Sequence, residues 1–259
     1  MTTKDNPAEL TPDDLMVSHA QQVAAYAVHV YTASGIVFIL LATKELFAAS
    51  PNPAVCFFWL LIAVLIDATD GPLARRFHVK TRARHISGRT IDDIVDYLGF
   101  TFVPLLLVWR MDWLPGDQEW SWLWIVPALM TSLFGFAHVT AKHEDEGFFS
   151  GFPSYWNVFA FYAGIWFTRD GPWPVAIVLQ VLAVATVLPV RFLYPNMAPR
   201  PWRTILLIGA GIWSMLMFAM LWDYPRPAAS VYGLSLVYPL FYTVLSVRLD
   251  WTSRQQRAR

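Results

Sequence analysis

Long apolar stretches recur along almost the whole chain of 259 residues. A helix that spans a bilayer needs about 20 predominantly apolar residues, and it satisfies its own backbone hydrogen bonds. Eight stretches are candidates, at 27–46, 54–75, 91–110, 120–141, 153–168, 173–193, 202–222 and 230–249. The stretch at 153–168 is short, so a tilted or partly interfacial helix is the alternative there. Turn residues separate several of them, as at 50–53 and 170–172. The sequence therefore predicts an all-α, polytopic integral membrane protein with about eight transmembrane helices.

The overall composition agrees with a membrane protein. Hydrophobic residues make up 56% of the chain and charged residues only 15%, whereas a soluble domain carries about a quarter charged residues. The net charge is zero, so the overall charge gives no information about a nucleic-acid partner, and we expect none. Cys56 is the only cysteine and lies in an apolar run, which favours a packing role. We expect one membrane domain over residues 1–259.

The distribution of the basic residues predicts the orientation of the chain in the membrane. Loops rich in lysine and arginine stay on the cytoplasmic side. With eight spans and a cytoplasmic N-terminus, the basic segment 75–89 and the basic C-terminal residues share that side.

In residues 10–26 polar and apolar residues alternate, which predicts a short interfacial helix before the first span. A frayed start of the first span is the alternative.

Four aspartates lie at the ends of two neighbouring predicted spans. Asp67 and Asp70 are three residues apart, and Asp92 and Asp96 are four apart. Helical residues at these spacings share a face, whereas Asp93 lies off that face and is expected to pair with an arginine or to face the headgroups. Carboxylates at membrane depth are costly and usually mark a functional site. Four of them coexist only if cations neutralise their charge.

The four carboxylates offer a ligand set made only of oxygen. Such a set suits Mg²⁺ or Mn²⁺ better than zinc, and four carboxylates suit two ions, as in phosphoryl-transfer sites. A helix cap or an ion pair with Arg75 is the structural alternative, but it accounts for only one or two of the four. We therefore predict a two-metal site.

The aspartates belong to a longer pattern. It reads D-x₂-D-G-x₂-A-R over 67–75, followed by G-x₃-D-x₃-D over 88–96. This pattern resembles the signature of the CDP-alcohol phosphotransferase family of integral membrane enzymes. The resemblance implies that Asp67, Asp70 and Asp92 hold two metals at the diphosphate of the donor. It also implies that Asp96 is both a metal ligand and the base that activates the acceptor hydroxyl.

The same resemblance implies a pocket for cytidine and phosphate. Its residues in this sequence are Gly71, Ala74, Arg75 and Gly88, with Thr81 as a weaker nucleotide contact.

Further segments resemble the bacterial phosphatidylcholine synthase branch of that family. The spacer 76–87 between the two halves of the pattern is longer than in most members, and eight spans exceed the common six. Segments 148–157 and 190–195 also match. This resemblance implies transfer of a phosphatidyl group from CDP-diacylglycerol to choline in the bacterial inner membrane, at a cytoplasmic site, and suggests a homodimer.

Choline recognition calls for aromatic side chains. Its quaternary ammonium cannot donate hydrogen bonds and binds to the faces of aromatic rings. Tyr155, Trp156 and Tyr194 are expected near the cytoplasmic ends of their helices, so they are candidates for the acceptor site. The alternative is an aromatic belt at the membrane interface.

Two other functions remain open from the sequence. The same chemistry with serine, inositol phosphate or glycerol phosphate is one, although a phosphorylated acceptor calls for basic residues beyond the motif arginine. The other is a divalent-cation transporter with a carboxylate site. Such transporters often show related halves, and the second half of this chain has no counterpart of D-x₂-D-G. Dependence on a cytidine nucleotide distinguishes enzyme from transporter.

Overall fold

The computed structural model describes residues 18–137, 142–143, 148–195 and 198–257. In chain order the α-helices are α1 (His19–Leu46), α2 (Pro53–Arg76), α3 (Val79–Arg82), α4 (Gly88–Asp96), α5 (Val103–Arg110), α6 (Gln118–Ser121), α7 (Val126–Ala137), α8 (Trp156–Asp170), α9 (Pro172–Val187), α10 (Trp202–Met220) and α11 (Ala229–Arg257). A π-helical turn, Tyr97–Phe102, joins α4 to α5, and 3₁₀ turns lie at Trp122–Trp124 and Leu221–Asp223. The strands are β1 (Lys142–His143), β2 (Phe148–Ser150) and β3 (Arg191–Leu193).

Helices lie at all eight predicted positions. Within the described residues, five are long and apolar enough to cross a membrane: His19–Leu46, Pro53–Arg76, Gln118–Ala137, Trp202–Asp223 and Ala229–Ser253. The other three predicted spans are not among the five. The segment from α4 through α5 contains three aspartates, and α8 and α9 are shorter than the five helices. Large apolar side chains such as Val30, Leu40 and Ile208 are exposed, as expected of faces that contact lipid. The all-α, multi-pass architecture is confirmed.

Two of the differences between predicted and observed boundaries change how a segment is interpreted. The span predicted at 173–193 ends as a helix at Val187, and Arg191–Leu193 form a strand. Pro189 disfavours helical geometry in the residue before it, which accounts for the early end. At the N-terminus, residues 19–26 form the first turns of α1, which is capped by the Ser18 side chain. They are not a separate interfacial helix, and the rest of that predicted helix lies outside the described residues.

The three strands form a small antiparallel sheet in the order β1-β2-β3. Phe148 of β2 lies opposite Leu193 of β3. The chain leaves β2 through Gly151, which has a φ of 86° and whose N–H donates to the Val190 carbonyl at 2.8 Å. A Cβ at Gly151 would collide with the backbone oxygen of Thr186, so only glycine fits. This turn fixes the direction of the segment that leads to α8.

Candidate active site

Three of the four predicted metal ligands converge between α2 and α4. Carboxylate oxygens of Asp67, Asp70 and Asp92 all lie within 4.8 Å of one another. Asp70 is buried, at 8% exposure, and the other two are half-buried. Three carboxylates this close repel one another unless a cation neutralises them, so the donor set fits a hard divalent cation.

Helix α1 supports this cluster. The Thr32 side chain of α1 lies beside the Asp70 carboxyl group, and its hydroxyl donates to the Val28 carbonyl at 3.3 Å. The residues immediately before Thr32 and Asp70, Tyr31 and Thr69, have their hydroxyls 2.7 Å apart. These contacts join α1 to the end of α2 that carries the motif.

Asp96 lies in the wall of a cavity of about 150 Å³. The lining residues are Asp67, Arg89, Asp92, Asp93, Asp96, Phe100, Gly135, Phe136, Pro153, Ser154, Tyr155, Leu193, Tyr194 and Tyr242. Asp93 pairs with Arg89 at 3.7 Å, as its position off the motif face suggested, yet it also reaches the cavity wall. The cavity therefore places Asp96 together with two residues of the carboxylate cluster.

Aromatic rings form much of the rest of the wall of this polar cavity. Tyr155 and Tyr194, both predicted from sequence, line it together with Tyr242 and Phe100, which the sequence analysis missed. The ring centroids of Phe100 and Tyr155 are 6.3 Å apart. The site combines carboxylates with neutral aromatic surface.

Trp156 does not belong to this wall. Its side chain is fully buried, and its indole N–H donates to the Ser132 hydroxyl at 2.7 Å. It is absent from the residues that line the cavity. Tyr155 and Trp156 are consecutive at the start of α8, so their side chains leave the backbone in different directions. The prediction of Trp156 as an acceptor-binding residue is corrected to a packing role.

The candidate nucleotide residues on α2 and α3 are more open. A Cβ at Gly71 would meet only the Arg75 guanidinium, at 3.6 Å, so the packing of the protein does not itself require glycine there. Arg75 is exposed, and Ala74 packs beside a small apolar cluster that includes Val79. Thr81 is exposed, and its hydroxyl donates to the His78 carbonyl at 3.0 Å. The space beside Gly71 suits the approach of a ligand.

Gly88 has a packing role that the sequence analysis did not foresee. A Cβ at this position would lie 2.8 Å from Cε1 of His29 in α1. The missing side chain lets the start of α4 approach α1 closely. Ser87 caps α4 by accepting a hydrogen bond from the Thr90 N–H at 3.2 Å.

A second, larger cavity adjoins the polar one. It measures about 350 Å³, and its walls come mainly from α2, α8, α10 and α11. Most of its lining residues are apolar, including Leu60 and Met217. Asp67, Phe100, Tyr155 and Tyr242 line both cavities. An apolar compartment therefore lies directly beside the carboxylates.

Comparisons with known proteins agree with this arrangement. The family model described as CDP-alcohol phosphatidyltransferase matches residues 24–245. A phosphatidylcholine synthase of Bradyrhizobium diazoefficiens is 36% identical over 206 residues, covering 79% of this chain and 73% of that protein. One from Pseudomonas aeruginosa is 35% identical over 185 residues, covering 71% and 74%. One from Legionella pneumophila is 32% identical over 237 residues, covering 87% and 88%. The chain belongs to the CDP-alcohol phosphatidyltransferase family.

Proposed function

We propose that this protein transfers the phosphatidyl group of CDP-diacylglycerol to choline, giving phosphatidylcholine and CMP. The observation that carries the proposal is the meeting of a carboxylate cluster and an aromatic wall at one cavity. The carboxylates suit a diphosphate donor with its metals, and the rings suit a quaternary ammonium. The names of the three relatives support the same assignment.

On the donor side, Asp67, Asp70 and Asp92 would hold divalent cations, with Asp96 as a further ligand. Mg²⁺ or Mn²⁺ fits these oxygen donors, and we propose two ions. When bound, the ions neutralise charge on the diphosphate and on the CMP leaving group. We propose that the CDP moiety lies along the exposed motif face of α2 and the start of α4, contacting Gly71, Ala74, Arg75, Thr81 and Gly88.

The neighbouring apolar cavity supports a lipid-linked donor. It begins at Asp67 and extends along apolar residues of α2 and α10. If the diphosphate of the donor lies at the carboxylates, its diacylglycerol part would contact this apolar surface.

On the acceptor side, we propose that Tyr155 and Tyr194 hold the trimethylammonium group. The choline hydroxyl would then face Asp96, across the same cavity. The choline oxygen attacks the phosphorus that carries diacylglycerol, its proton passes to Asp96, and the bond from that phosphorus to CMP breaks. A carboxylate beside a metal is a weak base, so Asp96 acts through its position within hydrogen-bond reach.

We also propose that the protein lies in the bacterial inner membrane with this site facing the cytoplasm. The distribution of lysine and arginine supports that orientation, and the relatives named above are bacterial. The homodimer remains a prediction.

The test is release of CMP by purified protein from CDP-diacylglycerol, with choline, serine, inositol phosphate and glycerol phosphate offered separately. We expect choline to give the highest kcat/KM and chelation of divalent metal to stop the reaction. Asp70→Asn should abolish activity because it removes a buried member of the cluster. Asp93→Asn is the matched control and should keep most activity. A preference for serine would overturn the acceptor, and the absence of CMP release with every acceptor would overturn the enzyme class.

A further inference from the structure

A buried ion pair joins β3 to the C-terminal part of α11. Nε of Arg191 lies 2.7 Å from Oδ1 of Asp250, and the two side chains are only 10% and 8% exposed. The Arg191 guanidinium also donates to the Ser253 hydroxyl at 3.4 Å and lies 5.4 Å from the centre of the Phe148 ring. Buried charges are costly, and such a pair is weak evidence for stability by itself. The position of the pair between β3 and α11 indicates a role other than stability.

Asp250 of this pair is the last residue of a polar row along α11. Tyr242, Ser246 and Asp250 follow one another at intervals of four residues, so they share one helix face. The Ser246 hydroxyl accepts a hydrogen bond from the Leu193 N–H at 3.2 Å, and the Tyr242 hydroxyl donates to the Leu193 carbonyl at 2.8 Å. Each member of the row therefore bonds to β3.

This row sets the geometry of the aromatic wall. Leu193 and Tyr194 line the polar cavity on one side, and Tyr242 lines it from α11. The other partner of β3 is β2, and the chain after β2 runs through Pro153 to Tyr155, also in the cavity wall. A displacement of β3 along α11 would therefore move Tyr194 relative to Tyr242. Through the sheet it would also move the segment that carries Tyr155.

We propose that Arg191 and Asp250 are positioning residues for the acceptor site. Their ion pair holds β3 in one register on α11 and thereby keeps the tyrosine rings at the separation that a trimethylammonium group requires. Neither residue lines the two cavities described above, so the pair acts through the rings and not by contact with substrate. This inference rests on the proposed function, because it assigns choline to the aromatic wall.

The experiment compares Arg191→Lys and Ser246→Ala with wild-type protein. Arg191→Lys keeps the charge but loses the paired donors of the guanidinium, and Ser246→Ala removes one contact of the row without changing any charge. We expect both to raise the KM for choline by roughly two- to thirtyfold, the range for misplaced cation–π contacts, with little change in the KM for CDP-diacylglycerol. Arg248→Lys is the matched control, because Arg248 lies on the same helix but is exposed, and it should leave both constants unchanged.

A second readout does not depend on catalysis. A cysteine introduced as Tyr194→Cys should react faster with a thiol reagent when Arg191→Lys is added, and not when Arg248→Lys is added. If Arg191→Lys fails to fold, Ser246→Ala decides by the same two readouts. Unchanged choline KM and unchanged thiol reactivity in folded variants would overturn the proposal. An equal rise in the KM for choline and the KM for CDP-diacylglycerol would overturn it as well. Wild-type protein without choline-dependent CMP release would instead refute the proposed function, while the thiol readout would still report on the register of β3.

Discussion

Tyr155 and Trp156 are adjacent in sequence, yet the structure gives them different roles, and paired substitutions should separate them. Tyr155 lines the cavity, so Tyr155→Ala should remove an aromatic contact worth about 0.5–2 kcal/mol and raise the KM for choline by roughly two- to thirtyfold. Trp156 is fully buried and bonded to Ser132. Its truncation to alanine should cost about 3–5 kcal/mol of stability, a large part of the total stability of a typical domain.

Two assays distinguish these outcomes. Steady-state CMP release at saturating CDP-diacylglycerol gives the choline KM, and survival of a monodisperse peak after heating gives the relative stability. We expect Tyr155→Ala to change the first and Trp156→Ala the second, with Trp156→Phe showing a smaller loss of stability as the milder control. A folded Trp156→Ala protein with a raised choline KM and normal stability would refute the reasoning, as would Tyr155→Ala with an unchanged choline KM.

Three further predictions concern the motif helices and the loop between them. Asp96→Asn should abolish turnover but keep measurable binding of CDP-diacylglycerol, because three carboxylates still hold metal; loss of donor binding would contradict its assignment as base. Gly88→Ala should lower activity by pushing α4 from α1, and His29→Ala in the same protein should restore part of it, since the collision is with that ring; no recovery would argue for direct ligand contact at Gly88. With Cys56 replaced by serine, a cysteine in loop 76–87 should react with an impermeant thiol reagent only from the cytoplasmic side, and periplasmic labelling would contradict the orientation.

The helices and the carboxylate cluster follow from simple properties of the sequence. A bilayer demands about 20 apolar residues for each span, so the span positions are visible without tertiary information. The spacing of Asp67 and Asp70 fixes a shared helix face, and the structure brings both together with Asp92. Local periodicity is sufficient for these pairs because the two aspartates of each pair lie on a single helix.

The rest of the aromatic wall required the tertiary structure, because the sequence indicated only Tyr155 and Tyr194. Strand β3 was hidden at the end of a predicted span, where Pro189 and Arg191 were the signs of a break. The different positions of Tyr155 and Trp156 depend on the directions of their side chains, which the sequence does not give. Tyr242 lies far from the motif in sequence and reaches the cavity because β3 packs on α11. One usable signal was present: Tyr242, Ser246 and Asp250 repeat every four residues along α11, which indicates a face in contact with polar groups.

The most direct test of the central claim is the identity of the product. Purified protein is incubated with CDP-diacylglycerol, divalent metal and deuterated choline, and the lipid extract and the nucleotide are quantified together by mass spectrometry. We predict deuterated phosphatidylcholine and CMP in a one-to-one ratio, with neither formed by Asp70→Asn. Formation of CMP without a choline-labelled lipid would contradict the proposed function.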